Sequence, residues 1–279
     1  MCTKDTLRIL TLKIDEESQL ALKILQEVLE EEGVTACLIG ATVPDLTLAV
    51  PLGINMRPTE DLDSAIKVSS WEEFGSLKER LVEKGYTKNV LPHRMHFGDH
   101  TTIDLIPYGP DIVEDNKIEW PHNGSIMNVA GYDQLFDYAE PKEIFPGMEW
   151  LVPPLPLFVL LKVACYEDRK FNRDLADIIF CLEHYEEEVT TSRRFELIGD
   201  VEGIEWDYAG AYLLGKEAQR FVVQALKKPV LTFLQRFSSI EAPEIDLAIR
   251  ETGETLVTDA DREHVFHLIL WFGKGLGMK

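Results

Sequence analysis

Leu20, Leu22, Ile24, Leu25, Val28 and Leu29 recur at helical spacing along residues 16–32, and Gly33 follows them as a stop. This pattern predicts an amphipathic helix. Residues 34–39 form a short apolar run closed by Gly40, the pattern of a buried strand, and residues 41–50 then fit a helix. Residues 53–58 read as a loop and residues 61–68 as a second strand. Residues 70–84 open with Ser70, carry Glu72 and Glu73 in the first turn and close at Gly85, which predicts a capped helix. Residues 86–90, 95–97 and 102–108 predict three more strands, with Gly98-Asp99-His100 as a hairpin turn. The order over 34–108 is therefore β-α-β-α-β-β-β, an α/β (α+β) arrangement with a small mixed sheet.

Residues 109–131 are polar, carry Gly, Pro and Asn, and read as an excursion. Pro141, Pro146, Pro153, Pro154 and Pro156 form the clearest breaker cluster, which predicts a domain boundary there. Beyond it the periodicity is helical, over 155–168, 173–186, 207–227, 229–238 and 259–273. The expected organisation is an N-terminal domain over 1–150, including the first helix, and a mainly helical domain over 151–279.

The length of 279 residues agrees with two domains at about 150 residues each. With 45% hydrophobic and 28% charged residues the composition is that of a soluble globular protein. The net charge of −21 speaks against coating nucleic acid through bulk charge, although it allows a local basic groove. Cys37, Cys165 and Cys181 sit in apolar runs and no CxxC pair is present, so a disulfide or zinc framework is not expected. The first 17 residues lack a signal-peptide pattern, and the most apolar stretch, 155–165, is too short to span a bilayer and contains Lys162. These features together predict a cytoplasmic protein without a membrane partner.

Chemistry enters with the segment Arg57-Pro58-Thr59-Glu60-Asp61-Leu62-Asp63. Two aspartates two residues apart on a strand point to the same side, so their carboxylates can converge on one cation. Such a pair suits Mg²⁺, a hard ion that also takes substrate phosphates. Asp104 is the one charge in the apolar strand Thr102-Ile103-Asp104-Leu105-Ile106 and needs a partner. Three carboxylates on neighbouring strands equip a site for two-metal phosphoryl or nucleotidyl transfer. No GxSxG and no GxxxxGK[ST] is present, so neither a serine-hydrolase elbow nor a P-loop is expected. A metal role for His93 or His96 is not expected either, for want of a third nitrogen or thiolate at fitting spacing.

Leu38-Ile39-Gly40, a helix, Arg57/Thr59/Asp61/Asp63 and a later strand with Asp104 resemble the nucleotidyltransferase superfamily, which shares its catalytic domain with DNA polymerase beta. Within it the chain looks most like the AbiEii toxin-like nucleotidyltransferases. A second block, Lys162, Arg169, Arg173, Asp174 and Asp177, is similar to a further block of that family, and together the two cover residues 34–185. The resemblance implies a transferase that moves an NMP from an NTP to a hydroxyl and releases pyrophosphate. Asp61, Asp63 and Asp104 would be the catalytic and metal-binding residues. Gly40, Ala41, Thr42, Arg57, Thr59, Lys162 and Arg169 would meet the nucleotide, Mg²⁺ would be the metal, and a toxin-like member would have a neutralising antitoxin-like protein. The chain departs from the family where Gly40-Ala41 replaces the usual Gly-Gly or Gly-Ser turn, with Thr42 as the nearest hydroxyl.

Helix geometry alone places Lys162 and Arg169 within roughly 20° of each other, at about 100° per residue. Arg94 stands near the Asp104 strand and could approach a nucleotide. Residues 216–236 run against the overall acidity, with Lys216, Arg220, Lys227, Lys228 and Arg236 against Glu217. That stretch would suit RNA as acceptor, whereas the acidic total would suit a cationic small molecule. A protein that keeps this scaffold for nucleotide or partner binding without turnover is the rival expectation.

Overall fold

The computed structural model describes residues 15–57, 59, 61–187, 193–253 and 256–278. The N-terminal segment read above for targeting signals lies outside them as far as residue 14, as do Cys2, Pro58 and Glu60. Helix α1 (Glu16–Glu32) starts at Asp15, whose side chain accepts from the Ser18 amide, and stops at Gly33 in the left-handed region. Its Ala21, Leu22, Leu25, Val28 and Leu29 are buried. Strand β1 (Thr35–Ile39) follows, and a helical run of α2 (Thr42–Pro44), one π turn (Asp45–Ala49) and α3 (Val50–Leu52) leads away from it.

The first unit comprises Met1–Leu46 and Pro58–Pro154. It is built on a seven-stranded mixed sheet in the order β3-β4-β5-β2-β1-β10-β9. Its strands are β1, β2 (Asp61–Lys67), β3 (Tyr86–Lys88), β4 (Arg94–Phe97), β5 (Thr101–Tyr108), β9 (Glu140–Phe145) and β10 (Met148–Val152). β2 runs antiparallel to β1 and parallel to β5, and β4 pairs antiparallel with β5 through the turn at residues 98–100. Helix α4 (Trp71–Glu83) is capped by Ser70, as expected, and packs with α1. The Tyr86 hydroxyl donates to the Ala21 carbonyl at 2.6 Å and ties the sheet edge to α1.

Two features of this unit differ from the sequence reading. The excursion over 109–131 contains a three-stranded antiparallel sheet of β6 (Val113–Glu114), β7 (Lys117–Glu119) and β8 (Ile126–Asn128). Its first hairpin turns on Asp115 and Asn116, both at positive φ, the geometry of a type I′ turn. The proline cluster contains the β9–β10 hairpin rather than only a linker. β9 is an edge strand, where Pro141 removes no ladder bond the sheet needs, and β10 adds in parallel to β1. Between the two sheets in sequence lies α5 (Tyr132–Tyr138).

The second unit comprises Thr47–Arg57 and Leu155–Lys279 and is helical. It holds α6 (Leu155–Arg169), α7 (Asn172–His184), α8 (Arg193–Asp200), α9 (Trp206–Ala218), α10 (Gln224–Arg236), α11 (Pro243–Glu251) and α12 (Asp259–Leu276). The expected helix over 207–227 stops at Ala218 and passes through a 3₁₀ turn, and α8 and α11 were not visible in the periodicity. Helices α9 and α12 make the most intimate pair. A Cβ at Gly215 would stand 2.2 Å from the Phe272 carbonyl oxygen and one at Gly275 2.1 Å from that of Tyr212, so each helix brings a glycine to the crossing. Among the described residues no helix is long and apolar enough to cross a membrane.

Candidate active site

The register of three strands assembles the carboxylates. Asp63 stands opposite Asp104 across β2 and β5, and Arg94 opposite Asp104 across β4 and β5. Residues in one row across a sheet share a face, and Asp61 joins that face two residues before Asp63. Leu62, Ser64 and Ile66 take the other face and are buried. One ligand atom from each of Asp61, Asp63 and Asp104 lies within 4.8 Å of the others. Two like charges about 5 Å apart repel by roughly 3 kcal/mol at the effective dielectric of a protein. Three carboxylates this close therefore require positive charge among them.

Gly40 sets the tightness of the cluster. It sits at φ +69°, and a Cβ there would stand 1.9 Å from the Asp63 Oδ2. The end of β1 thus lies against the Asp63 carboxylate in a space that any side chain would fill. Ala41 and Thr42, the next two positions of the expected phosphate turn, are buried. The Thr42 hydroxyl has no hydrogen-bond partner among the described residues. Thr59 Oγ1 lies 3.2 Å from the Asp61 carbonyl and 3.3 Å from its carboxylate, a local contact at the entry to β2.

Arg94 supplies the positive charge. Its Nε donates to Asp104 Oδ1 and its Nη2 to Asp104 Oδ2, both at 2.7 Å, and the same Nη2 reaches Asp61 Oδ2 at 3.0 Å. The hydrogen bonds it donates to Asp104 hold the guanidinium above even the ordinary arginine range. His93 lies beside this fork, with Nε2 3.8 Å from Asp104 Oδ2, and its ring packs on Trp120 at 5.4 Å between centroids. Burial pushes the His93 imidazole below its usual pKa, against the pull of Asp104. The donor set fits a hard divalent cation: three carboxylates, no sulfur, and a glycine shaped around one of them.

The other expected nucleotide contacts belong to the second unit and form a chain of ion pairs. Arg57 grips Asp177 through Nε at 2.7 Å and Nη2 at 2.9 Å. Lys162 Nζ bridges Asp177 at 2.8 Å and Asp174 at 3.1 Å. Arg169 grips Asp174 through Nε and Nη2, both at 2.7 Å. Lys162, Asp174 and Asp177 are buried. Burial alone would lower the Lys162 pKa, but Asp177 and Asp174 outweigh it and hold the ammonium charged. Burial would likewise raise Asp174, and the Arg169 and Lys162 bonds outweigh that and keep it low. Helix α6 ends at Arg169, so Arg173 falls on α7, 4.0 Å from Glu251.

Several of these partners were legible only in part. Asp174 and Asp177 stand three residues apart on α7, a spacing that puts two carboxylates on one helix face. A hairpin turn at 98–100 already implies that Arg94 meets Asp104. Arg194 gave no signal: its buried guanidinium donates to the Glu183 and Tyr185 carbonyls at the end of α7. Of the basic stretch, Arg236 is paired with Glu167 and Glu244.

No family model matches the chain, and no curated protein is similar to it in sequence. Among solved structures, the chain is similar to the antibiotic-resistance factor ANT(2'')-Ia at 12% identity and TM-score 0.32, over 54% of this chain and 72% of that one. It is similar to the CdnE cyclic dinucleotide synthase of Elizabethkingia meningoseptica at 11% identity and TM-score 0.28, over 94% and 93%. It is also similar to the CCA-adding enzyme of Thermotoga maritima at 14% identity and TM-score 0.27, over 98% and 83%. Likenesses of this strength assign neither a family nor an activity.

Proposed function

We propose that this protein is a Mg²⁺-dependent nucleotidyltransferase that moves an NMP from an NTP to an acceptor hydroxyl and releases pyrophosphate. The observation that carries the reading is the row of Asp61, Asp63 and Asp104 within 4.8 Å, with Gly40 pressed against Asp63. Asp61, Asp63 and Asp104 would hold the metal, which when bound supplies Lewis-acid stabilisation of phosphate oxygens. Asp104, the most buried of the three, would take the proton of the acceptor hydroxyl. The acceptor oxygen forms its bond to the α-phosphorus while the bond to the β-phosphate oxygen breaks, and that oxygen leaves with the electron pair. The Thr42 hydroxyl, buried and without a hydrogen-bond partner among the described residues, would be the turn's side-chain donor to a phosphate oxygen.

A second reading, a nucleotide- or partner-binding scaffold without turnover, is favoured by the engagement of two of the three carboxylates with Arg94. Pyrophosphate release separates the two. The protein is incubated with each NTP, Mg²⁺ and a panel of RNA ends, proteins and aminated small molecules. Metal-dependent release that disappears in Asp63→Asn, with circular dichroism unchanged, supports the transferase. Nucleotide binding without release across the panel supports the scaffold.

A further inference from the structure

We propose that Arg94 is an exchange group: it neutralises Asp104 and Asp61 while these carry no divalent ion, gives them up when one binds, and then turns to the nucleotide's phosphates. This inference rests on the metal reading above. Asp104 commits both oxygens to one guanidinium edge at 2.7 Å, and Asp61 accepts from the same Nη2 at 3.0 Å. The guanidinium does not deprotonate in proteins, so it cannot yield its place by losing charge. It and a divalent ion seek the same oxygens, and two positive groups in contact repel. Loading the carboxylates therefore means moving Arg94.

The sheet determines where Arg94 goes. Its Cα is fixed opposite that of Asp104 by the β4–β5 ladder, so the released side chain pivots on a rigid strand and stays beside the site. A planar guanidinium fork that has left a carboxylate matches a phosphate equally well, because both offer two oxygens at the same spacing. Free metal then binds weakly and a metal–nucleotide complex binds well, since only the complex brings a new partner for Arg94. A permanent structural strut would behave differently: its removal would loosen the carboxylates and would not improve metal binding.

Calorimetric titration of Mn²⁺ alone, without nucleotide, into the wild type, Arg94→Gln and Arg94→Lys tests this, with circular dichroism as the check of fold. Hydrogen bonds to charged groups of this kind, once removed, correspond to about 10- to 100-fold in affinity. Arg94→Gln is expected to bind Mn²⁺ tighter than the wild type by that factor, with Arg94→Lys, a point charge without the fork, in between. With a non-hydrolysable NTP present, Arg94→Gln is expected to lose that advantage. Equal or weaker Mn²⁺ binding by a folded variant overturns the inference and leaves the metal reading standing. Absence of Mn²⁺ binding by both wild type and variant overturns the metal reading and the inference with it. If Arg94→Gln does not fold, Arg94→Lys decides by the same comparison.

Discussion

At Gly40 a single methyl group decides the geometry of the site. The residue is held at positive φ and its missing Cβ leaves the space that the Asp63 carboxylate occupies. Gly40→Ala therefore displaces Asp63 by an ångström or more, and a misplacement of that size costs about 100-fold in rate. The expected outcome is loss of Mg²⁺-dependent pyrophosphate release by at least that factor with the fold retained, measured by steady-state kinetics beside a melting curve. Unchanged turnover in Gly40→Ala would show that Asp63 is not a working member of the site. Lys162 makes the opposite kind of residue-scale prediction. Lys162→Met removes the buried cation that bridges Asp174 and Asp177, and breaking a buried ion network by removing one partner costs ~3–5 kcal/mol. Urea unfolding checks this, and adding Asp177→Asn should recover part of the loss if the network is the cause.

At the scale of elements, the β4–β5 hairpin is locked to α1 by one carboxylate. Glu17 accepts from the backbone amides of Asp99, His100 and Thr101 at 2.8 to 3.0 Å. The bonds from the Asp99 and His100 amides push its pKa from 4.5 down to about 2. A carboxylate with a depressed folded pKa stabilises above its unfolded pKa, and that stabilisation fades as pH falls from 4.5 towards 2. The wild type should lose stability over that window more steeply than Glu17→Gln, in acid titrations followed by circular dichroism. Since β4 and β5 carry Arg94 and Asp104, loosening this lock also loosens the site.

How far elements could be read from sequence followed from how local their causes are. Helix α1, its Gly33 stop and the Ser70 cap of α4 were legible because periodicity and caps act within a few residues. The β9–β10 hairpin was hidden because Pro141 reads as a breaker, whereas its strand lies on the sheet edge and its partner β10 joins β1 from more than a hundred residues away. The small β6–β8 sheet was hidden in a polar stretch, although the Asp115-Asn116 turn between Val113 and Ile118 carried a signal. The three aspartates were legible through spacing. The Arg94–Asp104 pairing was legible in part through the turn at 98–100, whereas the confinement of Asp63 by Gly40 was not, because it depends on the register of β1 against β2.

For the whole molecule, two units of different construction carry two different charge devices. The first unit gathers three carboxylates around one arginine, and the second gathers three cations around two carboxylates. The central claim is that the acidic cluster binds nucleotide through a divalent ion. The most direct test is isothermal titration of each NTP, with and without Mg²⁺, into the wild type and the Asp61→Ala/Asp63→Ala double mutant. Mg²⁺-dependent binding by the wild type, lost in the folded double mutant, is the predicted result. Failure of every NTP to bind the folded wild type in the presence of Mg²⁺, or equal binding by the double mutant, would contradict the account.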